Sequence, residues 1–192
     1  AATRVASTLI YAGIANVAVL DGGHPKWVAD GYDTTVEVPD IESVTYEGVL
    51  KQRMFVTVEY VRRHLRWANI LDGRDVDVYY GETFGIFAQD TGHIPGATSL
   101  PTPWLYHLVE GDVYTFKDVE TLGKIARGAI CRPWSKMKHF HRGTIVYCGV
   151  GGYASSLWFV LTEVLGYENV KFFDGSAQEW TRYYDMVPYH WD

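Results

Sequence analysis

The chain has 192 residues, 47% of them hydrophobic and 21% charged, which predicts a packed core and excludes disorder. The net charge is -6 with no long basic run, so nucleic acid is not expected as a partner. No apolar run reaches membrane-spanning length, so no membrane partner is expected either.

The sequence begins without an initiator Met or a signal peptide, and a processed or truncated chain is expected. This leaves the compartment open between cytoplasm and bacterial periplasm. The two cysteines, Cys131 and Cys148, are too few for a disulfide framework. No His/Cys cluster has metal-ligand spacing, so no metal is expected.

From the N-terminus, Ala1 to Trp27 matches a later stretch without a gap. A slide of 153 positions brings Ala1 onto Ala154, Gly13 onto Gly166, Asn16 onto Asn169, Asp21-Gly22 onto Asp174-Gly175 and Trp27 onto Trp180. Such an internal repeat predicts two copies of one unit: helix, Gly turn, strand (Val17–Leu20; Val170–Phe173), Asp-Gly, and a short segment ending in Trp. Residues 1–38 are therefore expected to be the C-terminal part of a preceding α/β module. An independent αβ addition packed on the main domain is the alternative. Residues 39–56 fall in a Pro-containing, acidic stretch with no helical period, which reads as a linker.

Residues 57–192 alternate strands and helices, which predicts an α/β module with a mainly parallel sheet. Thr57 is a plausible N-cap for a helix over Val58–Leu65. Asn69–Asp72 reads as a strand leading into Gly73-Arg74, and Ala97–Leu100 as another. Gly92-His-Ile-Pro-Gly-Ala97 is turn chemistry, in which His93 either serves as a base or fixes the turn. Lys117–Arg127 has helical spacing. Ala129–Arg142 is a basic, aromatic insertion, read as a solvated loop or as one wall of an anion site.

The most informative stretch follows. Ile145–Tyr147 reads as a buried strand, Cys148 ends it, and Gly149, Gly151 and Gly152 break regular structure. Apolar residues at Leu157, Leu161, Val164 and Leu165 then predict a helix over Ala154–Leu165, closed by Gly166. Glycines let consecutive N–H groups form an anion-binding hollow, and the helix N-terminus adds roughly half a positive charge. Cys148 is thus the candidate nucleophile, and Gly149, Val150, Gly151, Gly152, Tyr153 and Ala154 form its loop. A small buried hydrophobe at a strand end is the bland alternative.

Leu71-Asp-Gly-Arg74, Tyr80-Gly81, Gly92-His-Ile-Pro-Gly-Ala97, Val146-Tyr-Cys148 and Asp174-Gly-Ser-Ala-Gln-Glu-Trp180, in this order, resemble the rhodanese (sulfurtransferase) superfamily. The resemblance covers nearly the whole chain. It implies a rhodanese-like α/β fold with a central, mainly parallel sheet flanked by helices, preceded by the tail of a second such module in a tandem arrangement. It implies a persulfide on Cys148 that passes sulfane sulfur from thiosulfate or 3-mercaptopyruvate to a thiol, cyanide or protein acceptor. No cofactor is implied. Other expected partners are a small sulfur donor and the earlier part of the same precursor. Cys148-Gly-Val-Gly-Gly is similar to the Cys-Gly-Ser-Gly loop of 3-mercaptopyruvate sulfurtransferases, with Val150 in place of the serine. Arg74 matches an arginine that contacts donor carboxylate in family members; pairing with Asp72 is its other reading.

Two other readings compete with this one. Cys-dependent phosphatases of a related fold need an Arg six residues after the Cys, to hold a tetrahedral oxyanion in bidentate fashion. That position is Ala154, which argues against them. A non-catalytic or weakly active binding or sulfur-relay module is the second. Such modules usually lose the Cys that this chain keeps.

Overall fold

The computed structural model describes residues 2–110, 112–130 and 143–189. Four strands form one parallel sheet: β1 (Asn69–Asp72), β2 (Thr98–Ser99), β5 (Thr144–Tyr147) and β6 (Val170–Phe172), in the order β2-β1-β5-β6. Tyr106–Val109 (β3) and Val113–Phe116 (β4) form a separate antiparallel hairpin. The sheet strands are short and apolar because helices cover both faces. Successive side chains therefore diverge. Leu71, Val146 and Phe172 enter one core cluster, while Ile70, Ile145 and Phe173 enter the other.

The first cluster is closed by α1 (Ala2–Ala12), α5 (Val119–Ile130) and α6 (Gly152–Phe159). The second is closed by α3 (Val58–His64), α4 (Val76–Tyr80) and α7 (Ser176–Trp180). The α6 sequence is apolar all round, and its position between the sheet and α1 buries every residue from Ala154 to Phe159. Thr57 caps α3 as expected, accepting from the Tyr60 N–H at a long 3.4 Å. A further helix, α2 (Gly23–Ala29), lies near the N-terminus.

Several boundaries differ from expectation. The α6 helix starts at Gly152 and widens into a π-helical turn at Val160–Val164, so the expected Ala154–Leu165 helix is not uniform. The helix expected over Lys117–Arg127 runs from Val119 to Ile130, so Ala129 and Ile130 belong to α5 and not to an insertion loop. Residues 131–142, with Cys131, lie outside the described residues. The strand expected over Ala97–Leu100 shrinks to Thr98–Ser99.

Val17–Leu20 does not form the expected strand. A strand exists only through its ladder of partners, and among the described residues the sheet neighbours of Val170–Phe172 have no counterpart beside Val17–Leu20. Other repeat positions do correspond. Gly13 and Gly166 both have positive φ, as do Gly23 and Ser176, which open α2 and α7. The Thr3 and Ser156 hydroxyls are 153 positions apart, the repeat offset, and meet at 3.0 Å. The α1 helix buries Thr3, Ala6, Ser7 and Ile10 against α6, while Val5 and Leu9 face outward. Residues 39–53 are exposed and irregular, tied down where Lys51 N–H bonds to the Tyr11 carbonyl, whereas Met54 is buried in the first cluster and Phe55 bridges in parallel to Phe172.

Candidate active site

Parallel registry aligns the C-terminal ends of β1 and β5, with Asp72 opposite Tyr147. Ligands of parallel sheets bind outside such ends. Cys148 follows β5 there, 2% exposed. Gly151 adopts φ 82°, a left-handed conformation that costs a non-Gly residue energy. This turn aims the Gly151 N–H at Cys148 Sγ, at 3.1 Å. The first N–H groups of α6 follow directly, without partners inside the helix. Cys148 Sγ therefore accepts a backbone N–H in a hollow beside the N-terminus of α6.

A second wall of this hollow comes from α7. Ala177 N–H bonds to the Cys148 carbonyl at 2.9 Å and Gln178 N–H to that of Gly149 at 3.0 Å. Ser176 is buried with φ 52°, unusual outside glycine. Its hydroxyl accepts from Cys148 N–H at 3.1 Å and donates to the Phe173 carbonyl at 2.9 Å. These two bonds hold the strained residue in place. Ser176 Oγ is 4.0 Å from Sγ, and with its proton given to Phe173 it supports the loop more than the sulfur.

A cavity of about 450 Å³ opens onto Cys148. Its lining includes Arg74, Val78, Phe84, Ile86, Phe87, Gly149, Val150, Gly152 and Tyr153, and it is mainly apolar. Ile86 is 85% exposed on its rim. Ala154 is fully buried under the loop, so the phosphatase arginine position carries no charge.

Arg74 lines this cavity but is committed elsewhere. Its Nε and Nη2 donate to Asp72, and Nη2 also donates to the Gly92 carbonyl at 2.7 Å. The Asp72 carboxylate, wholly buried, also accepts the Tyr147 hydroxyl, which itself accepts from Ile94 N–H at 3.0 Å. Burial alone would lower the Arg74 value, but the Asp72 charge and its hydrogen bonds outweigh it and leave the guanidinium held charged. This network ties β1, β5 and the Gly92–Ala97 turn together. His93 belongs to the same turn: Nδ1 donates to the Tyr79 carbonyl at 2.9 Å and the ring stacks on Tyr79. That is the turn-fixing role of its two readings.

Of the residues that sequence reasoning names, Cys148, Gly149, Val150, Gly152, Tyr153 and Arg74 line the cavity, while Gly151 turns its N–H to the sulfur and Ala154 is buried beneath the loop. That reasoning passes over Ser176, Asp174 and the Phe84–Phe87 wall. Asp174-Gly-Ser176 carries the family resemblance without pointing to a role at the sulfur. The Phe84–Phe87 wall lies in a Gly-rich stretch with no periodic signal.

An α/β module with a thiol in a backbone-amide hollow defines a class of group-transfer domain. The sequence pattern of the rhodanese-like domain matches residues 57–183, and the chain belongs to that family. A protein of Mycobacterium leprae named "Putative thiosulfate sulfurtransferase" is 32% identical over 178 residues, covering 89% of this chain and 59% of its own length. The "Sulfur carrier protein TtuD" of Thermus thermophilus is 32% identical over 182 residues, covering 88% and 60%. The crystal structure of SseA from Escherichia coli, a 3-mercaptopyruvate sulfotransferase by its description, superposes with a TM-score of 0.69 at 26% identity, over 91% of this chain and 61% of that one. The chain thus spans about 60% of the length of these relatives.

Proposed function

We propose that this chain is a sulfurtransferase that carries sulfane sulfur as a persulfide on Cys148. The observation that carries this reading is the Gly151 N–H at 3.1 Å from Sγ, at the mouth of α6 and at the base of an open cavity. The named activities of the relatives support it.

The Cys148 thiolate attacks the outer sulfur of the donor. With thiosulfate, a new S–S bond forms, the old one breaks, and its electron pair leaves with sulfite. With 3-mercaptopyruvate the C–S bond breaks, and the pyruvate enolate takes up a proton. An acceptor nucleophile (cyanide, a small thiol or a protein thiol) then attacks the terminal sulfur and frees the thiolate. The loop N–H groups stabilise sulfur charge in both states. Arg74 contributes to donor binding from the cavity wall, through its field more than through a free donor pair.

A relay role, with a protein as acceptor, is favoured by the exposed apolar rim at Phe84, Ile86 and Phe87 and by the likeness to a sulfur carrier protein. Residues 1–38 complete a preceding module in this reading, supported by the shared offset of Thr3 and Ser156.

The test is thiocyanate formation from cyanide with thiosulfate or 3-mercaptopyruvate, together with intact mass. Turnover with a sulfur adduct on Cys148 supports the enzyme. Absence of adduct and turnover with both donors overturns it.

A further inference from the structure

Arg4 lies outside the stretch that defines the family, on α1, yet it reaches the active-site loop. Its Nη1 donates to the Val150 carbonyl at 2.6 Å, and its Nη2 donates to Asp174 at 3.0 Å. The Val150 carbonyl and the Gly151 N–H belong to one peptide group. In a planar trans peptide the two point in opposite directions. Holding the carbonyl outward on Arg4 therefore holds the N–H inward on Cys148 Sγ. The guanidinium makes this a charge-assisted bond, and a cation on the carbonyl polarises the amide and strengthens its N–H as a donor.

The pair packs directly on the loop. A Cβ at Gly151 would lie 2.4 Å from Arg4 Nη1 and 2.2 Å from Asp174 Oδ1. Glycine at this position leaves the peptide free to rotate, so something outside the loop must fix it. The Arg4 and Asp174 side chains are 43% and 45% exposed. A pair that open to solvent adds little to stability. Its effect lies in the direction of one amide.

We infer that Arg4 is a positioning residue that sets the sulfur-facing amide of the Cys148 loop through the Val150–Gly151 peptide. Its turnover arm rests on the sulfurtransferase reading; its thiol arm does not.

The test uses the full chain carrying Cys131→Ser, so that alkylation reports on Cys148. In Arg4→Ala, iodoacetamide alkylation at neutral pH is expected to fall about tenfold, the size of one lost charge-assisted hydrogen bond. Its pH profile moves to higher pH while the melting temperature stays within a few degrees of the parent. Arg4→Lys, which keeps the cation, recovers part of the loss, and Asp174→Asn gives a smaller loss. Thiocyanate turnover of Arg4→Ala falls in parallel through kcat. An alkylation profile unchanged in Arg4→Ala overturns the inference, as does a loss in Arg4→Lys equal to that of Arg4→Ala. A parent that alkylates normally but transfers no sulfur overturns the sulfurtransferase reading, and the alkylation arm still decides the role of Arg4.

Discussion

Replacing sulfur by oxygen in Cys148→Ser is nearly isosteric, so the fold should survive while sulfur transfer and the mass adduct vanish; thiocyanate formation at parental rate would refute the mechanism. Gly151→Ala meets both a positive φ and the Arg4–Asp174 pair. It is expected to lower turnover more than it lowers the melting temperature, because the strain falls on the amide that faces sulfur. Tyr147 offers a pH test. Burial pushes its phenol well above the ordinary value near 10, and the Asp72 carboxylate adds to this. The folded state then holds the proton more tightly than the unfolded one. The resulting stability is complete below about pH 10 and is lost as pH rises beyond it. Tyr147→Phe should therefore show a shallower loss of stability as pH rises above about 10, read from urea midpoints. Parallel slopes would show that Tyr147 holds no such excess. Arg74→Ala strips the buried Asp72 of its partner and is expected to cost about 3–5 kcal/mol. Loss of activity in that variant is informative only beside its melting curve.

At the scale of elements, magnitudes rank the helices. The Thr57 cap bond is long, so Thr57→Ala should cost only about 0.5 kcal/mol. Ile10, 5% exposed, plugs α1 into the core beside α6, and Ile10→Ala should cost about 2–4 kcal/mol. Urea unfolding of the two variants checks the order. The strand Asn69–Asp72 and the end of β5 at Tyr147 were legible in sequence because both are short apolar runs stopped by Gly or Cys-Gly. The hairpin β3–β4 was not, since His107 and Thr115 interrupt its alternation and its stabilising contact, the stacked pair Tyr106 and Phe116, is made across strands. The π turn at Val160–Val164 was also illegible, because its apolar spacing suits either helix.

For the molecule as a whole, the α/β class followed from strand and helix alternation, and the site from one loop. What sequence order hides is which distant residues meet. Ser176 is 28 positions from Cys148 and Arg4 is 146 from Val150, and only the folded chain brings each pair into hydrogen-bond reach. The Val17–Leu20 segment, whose Val17 and Val19 pack against the first core cluster, shows the converse. Its residues favour a strand, but propensity without a neighbouring ladder leaves it irregular.

The parallel pairing of β1 with β5 carries a kinetic consequence. Asp72 and Tyr147, partners in the centre of the sheet, are 75 positions apart. Closing that loop costs about 2 kcal/mol more entropy than closing one of about ten residues. A nascent chain cannot assemble the centre of its sheet until β5 has left the ribosome, and β6 closes the sheet only after the Cys148 loop and α6 have followed. Stopped-flow refolding should run in milliseconds to seconds, as expected for non-local topologies. Sub-millisecond recovery of native fluorescence would mean that some other contact nucleates the fold.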